Sequence, residues 1–403
     1  MHSKIYINDM GAINALGCNK AEIARALLTN KTALKPYDQL FSGRKTYVGQ
    51  VSCELPALDK RYAKIDCRNN RMLLAAFSQI QKNYRSLSAS INPARIAVIL
   101  GTSTAGILES EQAYIVHAKT KAMPRRFHYH KQEFGKMAQF VADLCGAKGP
   151  IYTISTACSS SGKTFMAAKR LIEANICELC IVGGSDTLSQ VPLNGFDALD
   201  SMTSNICKPF QIDRDGINIG EGASLFILSK HQSEIIFVGG GETSDAYHIT
   251  APDPEGMGAK VAMLKALKDA NLNPDDIGYI NTHGTATQKN DEIESKAIFD
   301  IFTDQVYCSS TKPLTGHTLG AASATELGLC WLLLSTEYNP DKQLPAQVGN
   351  DNFDPNLPKI KLTGDNSIWQ KPYFMSNSFA FGGNNISLII AANSSFKTSL
   401  SKE

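Results

Sequence analysis

A cysteine, two histidines and a lysine are set in turns of small and hydroxyl residues, a combination of types that suits acyl transfer. Cys158 lies in "ISTACSSSGKTFMAAK", after a short β-type run and before a helical pattern. A thiol at the first turn of a helix meets the positive end of the helix dipole. In reactive examples that environment lowers its pKa into the range of about 3.5–7.5. Thr156, Ala157, Ser159 and Ser160 are small enough for a substrate carbonyl to approach. His283 follows a strand pattern in "NTHGTAT", and His317 stands five residues after Lys312 in "STKPLTGHTLGAASATE". In "SNSFAFGGNN", Gly382 and Gly383 let the backbone turn sharply. A backbone N–H there, with that of Cys158, can hold a developing oxyanion. Taken singly, a cysteine is most often a buried structural residue and a histidine a surface or hydrogen-bonded core group. The glycine pair reads equally well as a hairpin before the strand "ISLIIA". What unites the first three is place: Cys158, His283 and His317 all fall at strand-to-helix turns, and such turns gather at the carboxyl edge of an α/β sheet. A Cys–His pair alone also allows a hydrolase or a non-condensing acyltransferase, in which Lys312 and the second histidine have no role.

The elements that must position these groups alternate strand with helix, which predicts an α/β architecture with mainly parallel sheets. "RIAVILGTS" and "ELCIVGGSD" read as buried strands closed by turns, and "NKAEIARALL" as a helix capped by Asn19 with Glu22 three residues on. "EIIFVGGG" restarts the series near residue 235. "GAKVAMLKALKDANLNPDD" then predicts a helix with Val261, Leu264 and Leu267 on one face, and "IGYINTHGT" a strand stopping at His283. "IYTISTACSSSGKTFMAAKRLI" and "VYCSSTKPLTGHTLGAASATELGLCWLL" repeat the same order of strand, hydroxyl-rich turn and helix. The second helix is predicted to open on Gly320, Ala321, Ala322, Ser323 and Ala324. A glycine in a helix costs about 1 kcal/mol relative to alanine, so two buried helices packed at close range are expected there.

The chain of 403 residues is 43% hydrophobic and 19% charged with net charge +2, ordinary globular values that give no sign of a nucleic-acid partner. No run approaches the roughly 20 apolar residues of a membrane span, and the N-terminus shows no signal-peptide pattern. The ten cysteines follow no framework, so they are expected to be reduced and the protein cytoplasmic. Cys177 and Cys180 have CxxC spacing without a second such pair and read as structural.

Joined in order, "TACSSS", "PFQIDRDGINIGEGA", "NTHGTATQKNDEIE", "TKPLTGHTLGAASATE" and "NSFAFGGNN" resemble the β-ketoacyl-acyl carrier protein synthases of the thiolase superfamily, over nearly the whole chain. The resemblance implies a thiolase-like α/β fold, two pseudo-repeated halves in a five-layered αβαβα arrangement. It places an N-terminal half at 1–234, a C-terminal half at 235–395 and a polar tail, expected to fray, at 396–403. By the same resemblance Cys158 is the acyl-accepting nucleophile, His283 and His317 the paired histidines, and Lys312 the lysine that supports them. Asp291 and Glu326 match supporting acids, and Phe381 matches the gating phenylalanine whose N–H completes an oxyanion hole with that of Cys158. The implied reaction is decarboxylating condensation of a Cys158-bound acyl group with malonyl-acyl carrier protein, without cofactor or metal. A thiolase would carry a second catalytic cysteine near its C-terminus, whereas the last one here is Cys330. A non-catalytic chain-length factor would lack Cys158.

The family's "SFGFGGTN" is here "SFAFGGNN", so Ala380 and Asn384 replace a glycine and a threonine. These departures point to a specialised pathway, of aryl polyene type, with a housekeeping fatty-acid enzyme as the alternative. Such a chain is expected to form a homodimer, or a heterodimer with a chain-length-factor-like subunit. Acidic carrier proteins need a basic docking surface. The candidates are Arg68 and Arg71, which match a carrier-docking patch of the family, and Arg125 and Arg126, beside His128 and His130.

Overall fold

Apolar strands and small-residue helices alternate along a chain whose structure, a computed structural model, describes residues 4–245, 247–248, 252–349 and 352–396. The tail expected to fray lies, from residue 397 onward, outside the described residues. The first half runs β1 (Ile5–Asn14), α1 (Lys20–Leu28), β2 (Lys35–Tyr37), β3 (Thr46–Val48), α2 (Arg68–Ser88), β4 (Ile96–Gly101), α3 (Ile107–Thr120), α4 (Phe134–Cys145), β5 (Ile151–Ile154), α5 (Ser160–Glu173), β6 (Leu179–Asp186), α6 (Gln190–Ala198) and β7 (Gly222–Ser229). The second runs β8 (Ile235–Ser244), α7 (Met257–Ala270), β9 (Ile277–Asn281), α8 (Gln288–Phe302), β10 (Tyr307–Ser309), α9 (Lys312–Thr315), α10 (Ala322–Leu334), β11 (Lys361–Leu362), β12 (Tyr373–Phe379) and β13 (Asn384–Ala392). Helix α1 starts where its capping pattern predicts: Asn19 accepts from the Glu22 N–H, and the Glu22 carboxylate takes the Cys18 N–H.

The strand order is β11-β10-β9-β12-β13-β8-β1-β7-β6-β4-β5. It contains one pattern twice, β1-β7-β6-β4-β5 and β8-β13-β12-β9-β10, so the repeat read from the sequence is a repeat of topology. Three residue pairs, from Ile5↔Phe237 to Ile7↔Ile235, join the two sheets at β1 and β8. The pairing is mixed rather than mainly parallel: β4, β5 and β6 are parallel, while β7 and β1 return antiparallel, and β13 and β8 do the same. Alternating hydrophobicity cannot distinguish the two, because a strand buried on both faces reads alike in either direction.

Apolar cores hold five layers together. Helices α2 and α4 cover one outer face with Phe77, Ile80 and Phe140. Helices α7 and α8 cover the other with Met263, Leu267 and Ile298. Between the sheets lie α5 and α10, carrying Phe165, Leu327 and Leu332. Every residue of α10 is buried, as befits a helix apolar all round. The close approach expected of these two helices is present, since a β-carbon at Gly162 would come within 3.0 Å of the Ser323 side chain. Gly320 precedes the helix in a 3-10 turn, and its β-carbon would meet Ser103 N at 2.5 Å.

Two further expectations are corrected. Cys18 and Cys53 form a disulfide, with Cα atoms 6.2 Å apart, while the other eight cysteines are free. The partners are 35 residues apart, and only the packing of the β1–α1 turn against the segment after β3 brings them together. The buried face of α7 is Ala259, Ala262, Met263, Ala266 and Leu267, not Val261 and Leu264, and Leu264 is exposed. Small residues face the sheet because the neighbouring strand is itself glycine: a β-carbon at Gly241 would lie 2.0 Å from Ala262 O.

That correction has a measurable consequence. Met263→Ala should destabilise the protein by about 2–5 kcal/mol, the usual cost of such a cavity. Leu264→Ala should stay within about 0.5 kcal/mol, as an exposed position does. Urea unfolding midpoints give both, and similar losses at the two sites would restore the face read from the sequence.

Candidate active site

Cys158 is held on a turn built by its hydroxyl neighbours. Ala157, just before it, adopts a left-handed φ of 51°, which costs a non-glycine residue about 1–2 kcal/mol. The hydroxyls secure that turn. Ser159 Oγ donates to Thr156 O at 2.8 Å, Thr156 N–H donates to Ser160 Oγ at 2.8 Å, and Ser160 Oγ donates to Ala157 O. These side chains therefore shape the loop, rather than merely clearing space for a carbonyl. Helix α5 begins at Ser160, two residues beyond the thiol.

His317 and His283 reach Cys158 from the second half. His317 Nε2 is 3.1 Å from Cys158 Sγ. His317 Nδ1 accepts the Leu319 N–H at 3.0 Å, so in the neutral ring the proton sits on Nε2 and points at the sulfur. The two imidazoles cross at 89° with centroids 5.4 Å apart. Single donor atoms of Cys158, His283 and His317 all lie within 4.8 Å of one another. Such a sulfur and two nitrogens match part of a zinc donor set, but a protonated Nε2 donates and does not ligate. Lys312 and Glu326 form a buried ion pair beside them. The backbone N–H groups of Phe381 and of Cys158 itself both favour negative charge on the sulfur. The Phe381 ring packs on Phe196, with centroids 5.3 Å apart. A cavity of about 310 Å³ opens onto Cys158, His283, His317, Phe379 and Phe381.

Burial overrides the helix end. The Cys158 thiol is pushed up to about 11, chiefly by desolvation, against Lys312 and the two N–H groups. The low thiol pKa expected from the sequence is therefore not found: with the thiol raised this far, Cys158 is protonated at neutral pH. Desolvation and then Lys312 push His283 and His317 well below the ordinary imidazole range, so both rings are neutral. Glu326 is pushed up to about 7 by the same burial.

Asp291 accepts the N–H groups of Phe210 and Ala286, at 2.8 and 3.2 Å, pinning the turn after His283. Sequence reasoning missed Glu294, which lies closer to the histidine. Its two oxygens accept the His283 and Gly284 N–H groups at 2.8 and 2.7 Å. Its signal was present in "DEIE", where Asp291 and Glu294 share one helical face. Asp186 was missed as well. Buried at the end of β6, it accepts Thr102 and Thr104 hydroxyls and the Ser103 N–H, and no local pattern marks it.

The docking arginines divide. Arg68 is bound to Glu221, itself buried, and to Val51 O, and Arg71 grips Asp66 through two bonds of 2.7 and 2.8 Å. The pair does not form the free basic patch that was expected, because carboxylates distant in sequence or on the preceding turn neutralise both. Arg125 and Arg126 are exposed and without an ion pair among the described residues.

Comparison with known proteins agrees in extent with this architecture. The family models described as the N-terminal and C-terminal domains of beta-ketoacyl synthase match residues 2–234 and 235–343. Nodulation protein E of Rhizobium leguminosarum bv. trifolii is 30% identical, over 96% of this chain and 98% of its own. The 3-oxoacyl-[acyl-carrier-protein] synthase 2 of Synechocystis is 28% identical over 96% and 97%. Among solved structures, the ketosynthase ApeO, in complex with its chain length factor ApeC from Xenorhabdus doucetiae, superposes with a TM-score of 0.92. It shares 44% identity over 97% of this chain and 98% of its own. No helix among the described residues is long and apolar enough to cross a membrane.

The raised thiol pKa is open to direct measurement. Alkylation of Cys158 by iodoacetamide, followed by mass spectrometry, should speed up about ten-fold per pH unit from 7 to 9, because only the thiolate reacts and its fraction grows below the pKa. A rate already flat across that interval would show a thiolate at neutral pH.

Proposed function

The chain belongs to the β-ketoacyl synthase family, and from that premise we propose how its residues perform a decarboxylating Claisen condensation between an acyl group and malonyl-acyl carrier protein. Cys158 gives its proton to solvent, its Sγ attacks the acyl thioester carbon, and the tetrahedral oxyanion takes the N–H groups of Cys158 and Phe381. As it collapses, the carrier thiolate leaves and receives the proton that Cys158 gave up, so no net acid or base is consumed. The His317 Nε2–H stabilises the transient negative sulfur. Malonyl-carrier then enters and loses CO₂. The resulting enolate oxygen is held by the two neutral imidazoles, and its carbon attacks the acyl-cysteine carbonyl. The C–S bond to Cys158 breaks, the released thiolate takes a proton from solvent, and the product is a β-ketoacyl chain two carbons longer. Neutral rings suit this role, since each donates a hydrogen bond and gives up no proton.

The observation that carries this reading is the 3.1 Å approach of a protonated His317 Nε2 to Cys158 Sγ. It also speaks against a hydrolase, whose histidine must accept the thiol proton at that nitrogen. Lys312 and Glu326 act as a buried pair behind the histidines, and Asp291 and Glu294 hold the His283 turn.

We place the chain in a specialised pathway of aryl polyene type rather than in housekeeping elongation. Ala380 and Asn384 support that choice, and so does the higher identity to a ketosynthase in complex with its chain length factor than to a 3-oxoacyl synthase. A chain-length-factor-like partner, or a second copy of this chain, has a face to cover. Strand β5 is a sheet edge, and α3 exposes Tyr114, Ile115 and Val116. The functional division at 234/235 and a cytoplasmic site of action complete the reading.

Cys158→Ala should abolish acylation while leaving the fold intact. His283→Ala should slow malonyl decarboxylation by about 10²-fold, the usual cost of one oxyanion donor, with little effect on acylation. His317→Ala should slow both, because its Nε2 also touches the sulfur. Single-turnover assays of the two half-reactions separate these outcomes, and equal loss of both in His283→Ala would assign that histidine to the thiol.

Carrier docking is proposed at Arg125 and Arg126, which form no ion pair among the described residues. Changing both to glutamate should raise KM for carrier-bound substrate and weaken its salt dependence. Turnover of a small thioester without the carrier should not change. If both substrates suffer alike, the arginines have no docking role.

A further inference from the structure

Lys163 is the fifth residue after Cys158, on the helix α5 that follows it, and it is half-buried. Its ammonium donates to Asn384 Oδ1 at 2.9 Å. Among the described residues it forms no ion pair, and the charged groups acting on it are Glu242, which favours the ammonium, and Arg170, which opposes it. Glu242 is itself paired with Arg170. A lysine rarely gives up water without a carboxylate in return. Burial indeed pushes this ammonium down. Its position therefore needs a reason beyond stability.

Asn384 opens β13 directly after the turn Phe381–Gly383 that supplies the N–H over Cys158. That turn is closed on itself by the Ala380 N–H to Asn384 O and the Gly383 N–H to Ala380 O, both 3.0 Å. On its outer side Asp245 N–H donates to Gly383 O at 2.9 Å, and the Asp245 carboxylate takes the Asn385 amide. The tip is open, with no atom within 4 Å of where a Gly382 β-carbon would lie. Among the described residues, the bond from Lys163 to Asn384 is the one hydrogen bond that joins this strand–turn junction to the helix behind the nucleophile.

We propose that Lys163 is a positioning residue for the reaction: through Asn384 it latches the Phe381 turn to α5 and so holds the Phe381 N–H in register with Cys158. The inference rests on the reading of Cys158 and Phe381 given above. It also gives one of the two departures from the family's loop pattern a physical role. Where the family has threonine, the longer asparagine amide extends to the lysine on α5. The bond acts on the oxyanion hole and leaves the histidine pair alone, so its loss must separate the two half-reactions.

The test uses the full chain with acyl- and malonyl-loaded carrier. Lys163→Met and Asn384→Ala each remove one side of the bond, while Asn384→Asp keeps an oxygen acceptor for the ammonium. The first two should each slow acylation of Cys158 about ten-fold, the size of one hydrogen bond to a charged group, and the double variant should be no slower than either single one. CO₂ release from malonyl-carrier by enzyme already acylated should stay at the parent rate, and Asn384→Asp should acylate like the parent. Parent-like acylation in both single variants, equal loss in both half-reactions, or additive losses in the double variant overturn the latch. Should Lys163→Met fail to fold, Asn384→Ala and Asn384→Asp decide the matter on the same readings. A parent chain that does not acylate at Cys158 overturns the proposed function and the latch with it. A parent that does, beside indifferent variants, overturns the latch alone.

Discussion

The contact between α5 and α10 sets the geometry of everything else. The two helices lie side by side between the sheets, close enough that a β-carbon at Gly162 would crowd the Ser323 side chain at 3.0 Å. Two hydrogen bonds fix their relative height: Ser323 Oγ donates to Cys158 O, and Ala324 N–H donates to Ser161 Oγ, both at 3.0 Å. Each helix is preceded by a reactive turn, so locking the helix starts together brings Cys158 to His317. A shift of a single helical residue, about 1.5 Å of rise, would put sulfur and nitrogen out of hydrogen-bond reach.

Dryness is the second condition, and it works in opposite directions on the groups involved. Removal of water raises the thiol and the carboxylates and lowers the imidazoles, so the resting site is close to uncharged outside the Lys312–Glu326 pair. A buried ion pair of this kind stabilises a fold little, because desolvation offsets the Coulomb attraction. Its value lies in the field it leaves behind. A lysine that lowers the thiol and both imidazoles favours any negative charge that forms nearby, whether on sulfur or on an enolate oxygen. The same low dielectric strengthens the N–H donors of Cys158 and Phe381 when an oxyanion forms.

Each reactive turn carries a strained backbone residue. Ala157, Ala286 and Leu319 all adopt left-handed φ values, of 51°, 65° and 54°, without being glycine. Each lies within three residues of Cys158, His283 or His317, and each is overruled by local bonds, such as the Leu319 N–H held by His317 Nδ1. The conformation that costs energy is the one that aims the side chain.

The sequence by itself determined the alternation of strands and helices, the cap of α1, the repeat of strand, hydroxyl turn and helix, and the reactive types at Cys158, His283, Lys312 and His317. All of these are local: a cap spans four residues, and a motif carries its own chemistry wherever the chain takes it. The tertiary structure alone decided the quantities that depend on distant neighbours. It turned the expected low thiol pKa into a high one, because burial comes from both halves while the helix dipole comes from one. It neutralised Arg68 through Glu221, 153 positions away, and closed Cys18 onto Cys53 across 35. It moved the buried face of α7 onto alanines because the glycines of β8 lie opposite. Charge, solvation and close packing are sums over neighbours in space, and a linear chain names those neighbours only once it has folded.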